Sequence, residues 1–161
     1  MRIKRILLIM PLLCALACSD KKDRNSSDFG ISNNQRENIL NYLNKYAKNS
    51  KNSDSYWIIP LHGCNTCLEE IFQIIIECSV KQKTIILAYS DKLNLYKYEK
   101  YINDVESNHV NTVVRDANNE FGRIDIGTIA PILIQIQGEN IILYKEISTH
   151  KQFVSESYCK V

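Results

Sequence analysis

The chain has 161 residues, 45% of them hydrophobic and 24% charged, enough for a single buried core. Its formal net charge is +2, but Arg2, Lys4 and Arg5 stand at the very start, and without them 17 basic residues face 18 acidic ones, a net charge of −1. That balance leaves no electrostatic case for nucleic acid as a partner.

The N-terminus reads as a targeting segment. Arg2, Lys4 and Arg5 precede an apolar stretch from Ile6 to Leu13 that is too short for a membrane-spanning helix with these flanks. The run Leu13-Cys14-Ala15-Leu16-Ala17-Cys18, small residues before a cysteine at the end of an apolar stretch, resembles the lipobox of bacterial lipoproteins. The resemblance implies removal of residues 1–17 as a signal peptide and lipidation of Cys18. It also implies an anchor in the bilayer on the periplasmic side, at the outer membrane or at the cell surface. The alternative is an ordinary signal peptide cleaved near Ala17. Two or more acyl chains on Cys18 give stable anchoring. Residues 18–35 are mostly polar, with Phe29 isolated among them, and read as a flexible tether. Residues 36–161 are then one domain, without an internal repeat.

Within that domain the spacing of Ile39, Leu40, Leu43, Tyr46 and Ala47 predicts a helix over Gln35–Ala47. Tyr56–Leu61 is an unbroken apolar run, as expected of a strand covered on both faces. Cys64 to about Val80 reads as a helix that buries Leu68, Ile71, Phe72, Ile75 and Ile76. Lys83–Tyr89 is a second buried strand. Lys92–Val105 reads as one helix with Leu93, Tyr96, Tyr101 and Ile102 as its inner face. Asn111–Arg115 is a short strand. Pro131–Gln137 and Ile141–Ile147, joined by Gly138-Glu139-Asn140, form a hairpin, and Thr149–Tyr158 suits a last helix. Alternating elements closed by a hairpin predict an α/β fold with a mixed sheet.

Cys64-Asn65-Thr66-Cys67 joins the first strand to the second helix. At a helix N-terminus, unpaired N–H groups and the positive end of the dipole favour a thiolate. Cysteines at i and i+3 can close a disulfide, so that one attacks a mixed-disulfide partner and the other resolves it. A structural disulfide at this spacing closes too short a loop to gain much entropy. Zinc normally takes four ligands, and the chain has no second CxxC and no HxxxH. Cys64, Cys67 and His62 form a candidate Cu(I) set. Leu68 stands where haem attachment needs histidine.

The order of elements resembles the thioredoxin fold, here a three-layer sandwich with a central mixed sheet and helices on both faces. Two motifs carry the likeness: strand–GCxxC–helix over Trp57–Glu70, and Thr128-Ile129-Ala130-Pro131-Ile132-Leu133-Ile134 followed by a tight turn and edge strand. Val113-Val114-Arg115-Asp116-Ala117-Asn118-Asn119-Glu120-Phe121-Gly122 is similar to the segment before the cis-proline of membrane-tethered TlpA/ResA-like thiol–disulfide oxidoreductases. The resemblance implies that Cys64 is the exposed nucleophile and Cys67 the resolving thiol. It implies a cis Ala130–Pro131 peptide facing them that binds an incoming peptide, with Gly63 and His62 flanking the site. It implies protein thiol or disulfide substrates, a membrane-embedded thiol donor and no cofactor. The family's tryptophan before the first cysteine is Gly63 here, the acid of the preceding strand is absent at Ile58, and Asn65-Thr66 replaces Gly-Pro. His62, if protonated, favours the Cys64 thiolate. Glu69 and Glu70 complement the helix dipole or assist proton transfer.

Cys78 and Cys159 are a candidate structural disulfide, or two separate small apolar residues. Two other functions remain open. One is a non-catalytic lipoprotein of this fold, as a binding module or copper carrier. The other is a thiol peroxidase, since Pro60-x-x-x-Cys64-x-x-Cys67 is similar to PxxxTxxC with Arg115 as a charge partner.

Overall fold

The computed structural model describes residues 29–48, 55–78, 83–108, 111–126 and 130–147. The expected signal peptide, the expected lipidation site Cys18, Thr128, Ile129, the stretch expected to form a last helix and Cys159 lie outside them. Among the described residues no helix is long and apolar enough to cross a membrane.

Helix α1 spans Asn33–Tyr46. Its start is fixed by Ser32, whose hydroxyl accepts from the Gln35 N–H while the Gln35 side chain accepts from the Ser32 N–H, a capping box that satisfies two orphan donors. The helix therefore begins inside the stretch expected to be tether. Ile31 is buried and Phe29 packs on the same core, so the domain starts before residue 36.

Strands β1 (Ser55–Pro60), β2 (Lys83–Ala88), β3 (Asn111–Asp116), β4 (Ile132–Gln137) and β5 (Asn140–Glu146) form one sheet in the order β3-β2-β1-β4-β5. β1, β2 and β3 are parallel; β4 pairs antiparallel with β1, and β5 antiparallel with β4. The β4–β5 turn places Gly138 first, at φ +63°, where a residue without Cβ is favoured.

Helix α2 (Asn65–Glu77) and α4 (Glu99–Ser107) cover one face of the sheet, and α1 covers the other. The alternation of side chains along each strand sorts the core. Trp57, Ile59, Ile85 and Leu87 meet Leu68, Ile71, Phe72 and Ile75 of α2, whereas Ile58, Ile86, Ile132 and Ile134 meet Ile39, Tyr42 and Leu43 of α1. This is an α/β fold with a central mixed sheet and helices on both faces, compatible with a thioredoxin-like sandwich.

The stretch after β2 departs from expectation. In place of one helix there are α3 (Lys92–Lys97) and α4, broken at Tyr98 (φ −107°, ψ 12°), whose N–H is shared between the carbonyls of Leu95 and Tyr96. The break turns Leu93 and Tyr96 outward, 71% and 62% exposed, and turns Tyr98 inward, 1% exposed. A helical stripe drawn straight through the break assigns the wrong inner face.

A second departure is at Pro131. No peptide bond among the described residues is cis, so Ala130–Pro131 is trans, the isomer an X–Pro bond intrinsically prefers. The segment is held by the Ile147 N–H donating to the Pro131 carbonyl at 2.8 Å.

Candidate functional site

The site forms where β1 ends and α2 begins. Leu61 is still tied to the sheet, its N–H donating to the Ala88 carbonyl at 2.9 Å. His62 and Gly63 follow as exposed loop residues. Gly63 has a negative φ, and an added Cβ there would meet only the Pro60 carbonyl oxygen, at 3.8 Å, so the turn does not require glycine.

Cys64 is the N-cap of α2, with extended backbone (φ −62°, ψ 124°), and its carbonyl accepts from the Leu68 N–H at 3.0 Å. Its side chain makes no capping hydrogen bond. The sulfur therefore stands at the positive end of the helix, where thiolate is favoured. Cys67, one turn in, is half-buried, whereas Cys64 is exposed. The two are joined as a disulfide with Cα atoms 5.2 Å apart, within the ordinary range. Cys64 is thus the more accessible of the two sulfurs.

Two polar contacts brace this turn. The Thr66 hydroxyl lies 3.4 Å from Cys64 Sγ. The Tyr98 hydroxyl donates to Asn65 Oδ1 at 2.9 Å. Burial first, and the negative charge of Glu69 second, push the Tyr98 phenol above its ordinary value, so it remains a donor where thiols titrate. No sequence signal pointed to Tyr98.

The remaining sequence candidates distribute unevenly. Glu69 and Glu70 are the fifth and sixth residues of α2, and its first turn carries no acid, so their effect on the dipole at Cys64 is weak. Ala130 and Pro131 precede β4. Continuing the β1–β4 register, in which Ile58 faces Ile132, sets them beside Ile59 and Pro60, at the end of β1 from which the Cys64 loop leaves. Among the described residues no three His, Cys, Asp or Glu side chains gather to hold a metal; His62 does not join the two sulfurs. Arg115 lies on edge strand β3, separated from β1 by β2, and is ion-paired with Glu106. That arrangement does not provide the charge partner a peroxidatic cysteine needs.

The chain matches no protein-family model, no curated protein and no solved structure.

At the far end of α2, Cys78 closes the helix, and the Lys83 ammonium, itself buried, donates to the Cys78 carbonyl. A cation there complements the negative end of the helix. Cys78 is itself disulfide-bonded; Cys159, the candidate partner, lies outside the described residues.

The opposite face of the sheet holds a buried polar cluster. Asp116, fully buried at the end of β3, accepts from Tyr42 Oη at 3.0 Å and Tyr46 Oη at 2.9 Å. It also accepts from the N–H groups of Glu120 at 3.0 Å and Phe121 at 2.9 Å. Four donors satisfy a carboxylate that has lost its water. The turn that delivers the two N–H groups needs Asn119 at φ +49°. A Cβ at Gly122 would come within 2.6 Å of the Asn119 side-chain amide, which would have to turn aside.

Proposed function

We propose that this chain is a lipid-anchored, extracytoplasmic thiol–disulfide oxidoreductase of the TlpA/ResA-like kind, exchanging disulfides with protein substrates through Cys64 and Cys67. The observation that carries this reading is the asymmetric pair at the N-terminus of α2. The exposed Cys64 caps the helix, and the half-buried Cys67 is bonded to it.

In the reducing direction the Cys64 thiolate attacks one sulfur of a substrate disulfide. A Cys64–substrate bond forms and the other substrate sulfur leaves as thiolate. Cys67, as thiolate, then attacks Cys64 Sγ. The Cys64–Cys67 bond closes, the second substrate sulfur leaves, and two electrons have passed to the substrate. The leaving thiolates take protons from solvent, to which Cys64 is open. A thiol donor in the membrane resets the pair by the reverse steps. The oxidising direction runs the same exchanges backwards. Ala130 and Pro131, beside the end of β1, are the proposed contact for the substrate backbone. The additional disulfide at Cys78 supports an oxidising compartment, and Cys18 is the proposed anchor.

Trapping tests the reading. Cys67→Ser leaves the mixed disulfide unresolved and is expected to accumulate a Cys64-linked partner on non-reducing gels, whereas Cys64→Ser accumulates none. Equal trapping by both variants, or by neither, would contradict the assigned roles.

A further inference from the structure

We infer that Tyr98 is a positioning residue for the cysteine pair: the break between α3 and α4 brings its hydroxyl onto Asn65 to hold the first turn of α2 when the disulfide opens. The inference rests on the exchange function proposed above.

Lys97-Tyr98-Glu99 contains neither glycine nor proline, the usual local causes of a helix break. The interruption is instead accompanied by a change of side-chain direction. Tyr98 swings from the outer surface, where Leu93 and Tyr96 remain, to full burial. Its ring packs on Phe72, with centroids 5.9 Å apart, and its hydroxyl reaches Asn65 Oδ1 at 2.9 Å. Asn65 and Phe72 are seven residues apart and so share one face of α2. One tyrosine thus grips that face at two points, ring two turns along and hydroxyl at the first residue.

Asn65 lies between the two cysteines. In the oxidised pair the Cys64–Cys67 bond itself holds this turn. In the dithiol that cross-link is gone, and the first turn of a helix is where fraying begins. The N–H groups that favour the Cys64 thiolate are useful only while the turn is intact. A tether from the buried Tyr98 therefore contributes more to the dithiol than to the disulfide, and raises the reduction potential of the pair.

Tyr98→Phe keeps the ring on Phe72 and removes only the hydroxyl, so the variant folds. A hydrogen bond of ordinary strength corresponds to about a fivefold change in an equilibrium constant, or ~20 mV for a two-electron couple. In the full-length chain, equilibrated against glutathione and dithiothreitol buffers, Tyr98→Phe is expected to favour the disulfide by up to about fivefold. Asn65→Ala should shift the same equilibrium in the same direction, and the double variant should go no further than either single one. A purely structural role would lower the melting temperature and leave the potential where it was. An unchanged potential in Tyr98→Phe, a shift the other way, or fully additive variants would overturn the inference while leaving the exchange function standing. A wild-type pair that does not equilibrate with either buffer would overturn both.

Discussion

The two faces of the sheet are built on different principles. The face under α2 and α4 is packed with apolar side chains, and its chemistry sits at the rim, where Cys64 is exposed at a helix end. The face under α1 is equally apolar at its centre, but it is joined to β3 by a buried carboxylate with four donors. One side places a reactive group in reach of solvent with only light bracing. The other locks a polar group away from solvent. On the proposed exchange function, bonds would break and reform at the rim of the α2 side, while the buried carboxylate fastens α1 to the sheet on the other.

The strongest way to break that comparison is at Asp116. Asp116→Ala leaves two tyrosine hydroxyls and two backbone N–H groups without their acceptor. It is expected to cost about 3–5 kcal/mol, read as a lowered urea midpoint. Loss of less than about 1 kcal/mol would mean that the cluster does not fasten α1.

A smaller effect on the same face is tied to pH. Burial, and the negative charge of Asp116 together with its hydrogen bonds, push the phenols of Tyr42 and Tyr46 well above the ordinary tyrosine value of 10.0. The folded state keeps these protons where the unfolded chain releases them. Stability is therefore unaffected by these groups below about pH 10 and falls as pH rises beyond it. Tyr42→Phe should cost about 1.5–3 kcal/mol at neutral pH through the lost bond to a charged acceptor, and flatten the alkaline decline. Urea titrations of both proteins at neutral pH and in the alkaline range check both parts.

The smallest effect is expected on the other face. Replacing Cys64 and Cys67 together by serine removes a cross-link between residues separated by three positions. In the chain-entropy view that costs no more than about 2 kcal/mol. A larger loss would mean that this disulfide is structural and that the contrast between the faces is wrong.

What was legible in the sequence follows the same division. α1 and the inner stripe of α2 are legible from their apolar period, and β1 and β2 from unbroken apolar runs, because those two strands are buried on both faces. The cysteine pair was legible because its spacing and its place after a strand carry chemistry by themselves. Tyr98 and Asp116 were not legible, for one shared reason: their partners are distant in sequence, 33 residues away for Asn65 and 74 for Tyr42. Asp116, next to Ala117-Asn118-Asn119, reads as a polar turn residue until the donors from α1 are seen. Leu93 and Tyr96 fit a helical stripe whose continuation was cut at Tyr98. At Pro131 the family likeness, rather than any local signal, suggested the cis isomer, and the chain takes the ordinary trans form.

The most direct test of the central claim is the equilibrium reduction potential of the Cys64–Cys67 pair. It is measured in the full-length chain by titration against glutathione and dithiothreitol, with mass-spectrometric readout of the two states. The exposed, helix-capping Cys64 predicts a reversible couple between about −120 and −270 mV, the span of exchange proteins. A value below about −300 mV, the range of structural disulfides, would contradict the account.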